Sequence, residues 1–158
     1  MRLLLDTNAL LWALTNSPRI VAVKDLLLAS ESEVFVSAVS WWEIAIKTRI
    51  GRLDADLQML RSVSQESGFL ELPLLGAHTD VLATLPSHHN ELFDHMLVAQ
   101  AIVEPMRLIT GDGILSKYTP WSYIFDIFLF ARLAAKFHQT APLHFSKQPR
   151  HYAHRSLP

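Results

Sequence analysis

The chain opens Met1-Arg2-Leu3-Leu4-Leu5-Asp6-Thr7-Asn8. Three leucines run straight into an acid, with no turn residue between them. A short continuous apolar run suits a strand buried on both faces, as in a parallel sheet. Asp6 then stands where that strand leaves the sheet. In open α/β sheets the carboxyl edge of the strands is where ligands bind. Asp6 is therefore expected to be the first of several carboxylates gathered at one edge.

The rest of the chain supplies the partners of that strand. Ala9 to Leu14 reads as a short helix stopped near Asn16-Ser17-Pro18. A second helix is predicted from Arg19 to Ser30, with Ile20, Val23, Leu26 and Leu27 on one face. Val34-Phe35-Val36 is a buried-strand segment. The helix after it runs from Ala38 to Arg49 and ends at Gly51. Asp54 to Glu66 is another helix, with Leu57, Leu60 and Val63 inward and Gly68 closing it. Phe69 to Leu72 is an edge-strand candidate, and Gly76 to Leu85 a short helix before Pro86. Phe93, Met96, Leu97, Gln100 and Ala101 mark a helix that stops before Pro105. Met106 to Thr110 is a further strand, followed by Gly111-Asp112-Gly113. Strands alternating with helices predict a three-layer α/β/α sandwich around a short, mainly parallel sheet.

A chain of 158 residues fits one domain with a proper core. Half the residues are hydrophobic and 18% are charged, which excludes a disordered class. Fourteen basic and fifteen acidic residues leave a net charge of -1. That balance offers no electrostatic case for DNA or a membrane, though a local patch can still serve RNA. Cysteine is absent, so disulfides and thiolate metal sites are excluded, and a cytoplasmic location fits. Asp6 and Asn8 interrupt the leucine run, so the N-terminus reads as structure rather than as a signal peptide. Trp121 to Ala135 is apolar but contains Asp126 and Arg132, and no membrane association is expected. The domain is set at 1–120. Residues 121–158 form an atypical extension, apolar and then rich in His, Pro and Arg, expected to be poorly ordered or docked on a partner.

Four carboxylates fall where strands end or helices begin: Asp6, Glu43, Asp94 and Asp112. Each has a plain structural reading. Asp6 suits an N-cap. Glu43 lies three residues after Ser40, the spacing of a capping box, although the helix is better started near Ser37. Asp94 falls in a first helical turn, where the macrodipole favours an acid. Asp112 between two glycines suits a turn. Together they are expected to converge on one cleft. Converging carboxylates are costly to desolvate unless a cation joins them. A hard divalent ion, Mg2+ or Mn2+, is the natural occupant, and it can activate water against a phosphate.

Leu4 to Trp12 resembles the opening motif of PIN-domain proteins. Ser37 to Lys47 is similar to their second acidic motif, Phe93 to Ala101 to the third, and Leu108 to Asp112 to the fourth. The resemblance covers Met1 to Tyr118 and lies nearest to the VapC-type toxins of bacterial toxin–antitoxin pairs. It implies a Mg2+-dependent endoribonuclease acting on RNA, a homodimer, and silencing by a cognate antitoxin. By position, Asp6 and Asp94 are implied as main metal ligands. Glu43 and Asp112 bind metal directly or through water, or orient the attacking water. Thr7, Asn8 and Thr110 are implied as hydrogen-bonding neighbours.

The third motif departs from the common pattern with Glu91, Leu92 and His95, so a titratable imidazole stands where a permanent cation is usual. Leu115 replaces an aromatic in the fourth. About forty residues beyond Tyr118 form either a real extension or a frameshifted reading. Lys47, Arg49 and His95 offer contacts to an RNA backbone, and a solvated helix end is the plain alternative for the first two. Trp41 and Trp42 suit base stacking or packing. The rival functions are an inactive or partner-binding PIN-like module and an aspartate-based phosphatase or phospho-receiver. Aspartyl phosphatase chemistry wants a second acid two residues on, where this chain has Asn8.

Overall fold

Leu3, Leu4 and Leu5 are all fully buried, because β1 (Arg2–Leu5) lies in the middle of a sheet covered on both faces. The computed structural model describes residues 1–86, 91–115 and 124–127. Its five strands run in the order β3-β2-β1-β4-β5, and every neighbouring pair is parallel. β2 is Glu33–Ser37, β3 Leu70–Leu72, β4 Arg107–Thr110 and β5 Ile124–Asp126. In the register, Leu3 faces Val34 of β2, and Leu4 faces Leu108 of β4.

The two-residue period of the strands divides the core. Leu3 and Leu5 join Val34, Val36 and Ile109 on one face. There they meet Ala9, Leu10 and Ala13 of α1 (Thr7–Leu14), and Leu27 of α2 (Lys24–Leu28). Leu57 and Leu60 of α4 (Leu57–Glu66) pack against the same cluster. Leu4 and Leu108 point the other way, onto Leu97, Val98 and Ala101 of α6 (Leu92–Val103). α5 (Gly76–Leu82) packs on α6. α3 (Ala38–Arg49) serves both layers, with Val39 on one side and Trp41 and Ile44 on the other. Burying each such leucine stabilises by roughly 1.5–3 kcal/mol. The predicted α/β/α sandwich with a parallel sheet is what forms.

Several boundaries differ from expectation. The helix predicted over 19–30 splits into a 3₁₀ stretch, Pro18–Val23, and the short α2. Ile20 and Val23, three apart and both buried, suit three residues per turn. α4 begins at Leu57 rather than Asp54, because Asp56 caps it by accepting the Met59 N–H at 3.0 Å. α5 ends at Leu82, three residues short of the expected Leu85. Gly68, at φ +73°, closes α4 as expected. β5 lies beyond residue 120, where the domain was closed in the sequence, so the sheet takes a strand from the supposed extension. Residues 87–90, 116–123 and 128–158 fall outside the described residues, and with them the expectation of a polar loop at 87–90 and of a disordered or docked tail.

Candidate active site

The chain builds β1, β2 and β3 outward on one side, then returns past β1 to place β4 on the other. The strand order thus reverses between β1 and β4, the kind of point where open α/β sheets form a crevice at the carboxyl edge. Asp6 stands at that point, and its N–H donates to the Ile109 carbonyl at 3.0 Å. Asp6 is also the N-cap of α1, accepting the Ala9 N–H at 2.6 Å. The capping role therefore coexists with a position in the crevice. Asp6 is 3% exposed. Burial pushes its carboxyl up to about 6, even though Ala9, the Thr110 hydroxyl and Gly111 all donate hydrogen bonds to it.

Glu43 reaches the crevice from α3. That helix starts at Ser37, whose Oγ accepts the Val39 N–H at 2.9 Å, so the Ser40–Glu43 capping box does not form. Glu43 is 5% exposed. Its Oε2 accepts the Thr7 hydroxyl at 2.5 Å, and its Oε1 pairs with Lys47 Nζ at 2.5 Å. Asp94 lies in the first turn of α6 and is partly buried. Burial pushes its carboxyl up to about 7, and the negative charges of Asp6, Glu43, Asp112 and Glu91 push the same way. Asp94 is thus within electrostatic reach of the other three acids picked out in the sequence, and Asp6 within reach of Glu43.

Asp112 follows β4. Its N–H donates to Thr110 Oγ1 at 2.9 Å, and its Oδ1 accepts the Ile114 N–H at 2.8 Å, as a turn aspartate does. The Thr110 hydroxyl therefore accepts from Asp112 and donates to Asp6, tying the ends of β1 and β4. Asn8 is exposed on the first turn of α1. Arg49 is exposed at the end of α3. His95 is only 9% exposed, so it offers little surface to a polynucleotide. Among the described residues no three acidic or imidazole side chains form a ready metal cage. The donors gathered here are all carboxylate and hydroxyl oxygens, the set a hard cation prefers.

Two features escaped the sequence reading. The first is Gln100, fully buried on α6. It accepts the Ser37 hydroxyl at 2.6 Å and donates to the Pro73 carbonyl at 3.2 Å. This ties the helix carrying Asp94 to the start of the helix carrying Glu43. The second is Asp126, which ends β5 opposite Thr110 in the register. Its Oδ2 lies 3.4 Å from where a Cβ on Gly113 would stand, against the turn that carries Asp112. An acid closing an apolar run was the usable signal for Asp126; Gln100 gave none. No described helix is long and apolar enough to cross a membrane.

The chain is similar in fold to several solved structures. One is VapBC2 from Rickettsia felis bound to a promoter DNA fragment, at 16% identity and TM-score 0.62, covering 80% of this chain and 98% of that one. Another is VapBC-1 from nontypeable Haemophilus influenzae, at 18% identity and TM-score 0.55, covering 81% and 99%. A third is a toxin-antitoxin complex from Klebsiella pneumoniae, at 20% identity and TM-score 0.54, covering 78% and 96%. No curated protein matches the sequence significantly. The sequence profile of the PIN domain matches residues 3–119. With most of its length matched, and the four acids in their expected order along the chain, the protein belongs to the PIN-domain family.

Proposed function

We propose that this protein is a Mg2+-dependent endoribonuclease, the toxin of a toxin–antitoxin pair. One observation carries the reading: Asp94 is pushed up to about 7 by burial and by the charges of Asp6, Glu43, Asp112 and Glu91. Such a cluster costs folding energy until a hard cation relieves it. Asp6 and Asp94 are the principal ligands. Glu43 and Asp112 complete the set directly or through water, or orient the attacking water. A bound Mg2+ or Mn2+ supplies an activated water and offsets charge on the phosphate during in-line displacement.

The chain's own groups hold this arrangement. In the metal-free protein, Thr7 and Lys47 hold the two oxygens of Glu43. Thr110 fixes Asp6 against the Asp112 turn. Asn8, exposed on the first turn of α1, is a hydrogen-bonding neighbour of the site. Water forms the new bond to phosphorus, and the displaced ribose oxygen leaves with a proton. No covalent enzyme intermediate is involved. The solved structures named VapBC and toxin–antitoxin complex support a protein antitoxin as partner, and a homodimer is proposed on the family resemblance alone.

Labelled single-stranded RNA and DNA of the same sequence, each incubated with Mg2+ and with EDTA, test the reading. Cleavage of RNA in Mg2+ alone is expected. Phosphate release from a monoester with intact RNA would favour phosphatase chemistry, and no turnover at all would favour a binding module.

A further inference from the structure

The geometry points to Lys47 as an internal counter-cation that competes with the divalent ion for Glu43. This rests on the metal-dependent reading above and adds a regulator of metal affinity to it. Glu43 is 5% exposed and both its oxygens are taken. Thr7 contributes a neutral hydroxyl. The positive charge in contact with this buried carboxylate is the Lys47 ammonium, 2.5 Å from Oε1. A buried carboxylate without a cation is costly, so Lys47 makes the metal-free cluster tolerable.

The placement suits a displaceable partner. Lys47 is four residues after Glu43 on α3, in the favoured acid-before-base order. Its side chain is 39% exposed, against 6% for that of Glu43. A flexible four-carbon stem lets the ammonium swing into water without moving the helix. The Glu43 carboxylate cannot serve the ammonium and a divalent ion at Oε1 without the two cations repelling each other. Lys47 therefore holds the acid in place before metal arrives and lowers the affinity with which metal is taken up. Once displaced, it stands as an added positive charge at the rim of the crevice. Its role is positioning and competition, distinct from a fixed contact to RNA.

Mg2+ titration calorimetry on the whole protein, with melting in EDTA alongside, tests this. Wild type, Lys47→Met, Glu43→Gln, the double variant and Asp94→Asn are compared. Lys47→Met is expected to bind Mg2+ about 1.4- to fivefold tighter, the range of a partly exposed ion pair, while melting lower in EDTA. In the Glu43→Gln background the Lys47 substitution is expected to leave Mg2+ affinity unchanged, which a merely structural lysine would not require. Lys47→Gln repeats the test if the methionine variant folds poorly. Asp94-dependent Mg2+ binding that Lys47→Met leaves equal or weaker overturns the role of Lys47 alone. Absence of Mg2+ binding by wild type, or undiminished binding by Asp94→Asn, overturns the metal site and this inference with it.

Discussion

Asp94→Asn is expected to stabilise the metal-free protein while abolishing its activity. The Asp94 carboxyl is raised from an ordinary 3.8 to about 7 by burial and by its acidic neighbours. At about 1.36 kcal/mol per pKa unit, holding it ionised at pH 8 costs the folded state roughly 4 kcal/mol. Asp94 is partly exposed, so solvent screening reduces this, and Asp6 shares the repulsion. A gain of about 1–3 kcal/mol on substitution is the working figure. Asn keeps the size of the side chain, replaces one acceptor oxygen by an NH2 donor and removes the charge. Most point substitutions destabilise by about 1 kcal/mol, so the sign alone is diagnostic. Urea denaturation in EDTA at pH 8 measures it. Saturating Mg2+ is expected to raise wild-type stability and to leave the variant where it was. A variant less stable than wild type in EDTA would refute the view that these acids repel one another in the metal-free fold.

The pH dependence follows from the same groups. The folded-state carboxyls of Asp6 and Asp94 are raised to about 6 and about 7. Their contribution is complete below about pH 4 and is lost as pH rises through those values. Melting temperatures in EDTA are expected to fall between pH 5 and 8, by these groups' contribution, and Mg2+ to flatten that decline. Thr7→Val removes the hydroxyl on Glu43 Oε2 and is expected to cost about 1–3 kcal/mol by urea denaturation. RNA cleavage by a folded Thr7→Val protein is expected to fall. Gln100→Leu strips the Ser37 hydroxyl and the Pro73 carbonyl of their partner. A similar cost of about 1–3 kcal/mol is expected, with weaker Mg2+ binding because α3 and α6 lose their tie.

The parts of the fold legible in the sequence were those with strong local pattern. Leu3-Leu4-Leu5, a short apolar run ending at an acid, suits a doubly buried strand, and α3 carries its own start at Ser37 and stop at Gly51. β5 was hidden because three residues in an aromatic-rich run become a strand only by pairing with β4. The 3₁₀ stretch was hidden because buried residues three apart also fit an α-helix. Of the site, the acids were legible one by one as residues ending strands or opening helices. Their ties were not. Thr7 to Glu43 spans 36 residues and Ser37 to Gln100 spans 63, and no periodicity encodes such contacts. The plain readings of Asp6 as a cap and Asp112 as a turn residue proved true as hydrogen bonding, and neither conflicts with a place in the cluster.

Cleavage of a labelled single-stranded RNA by wild type, Asp6→Asn and Asp94→Asn, each confirmed folded by circular dichroism, tests the central claim most directly. Wild type is expected to cut in Mg2+ and to stop in EDTA, and both variants are expected to be inactive in either. Undiminished cleavage by Asp94→Asn, or cleavage by wild type that persists in EDTA, would contradict a carboxylate-held metal as the seat of the chemistry.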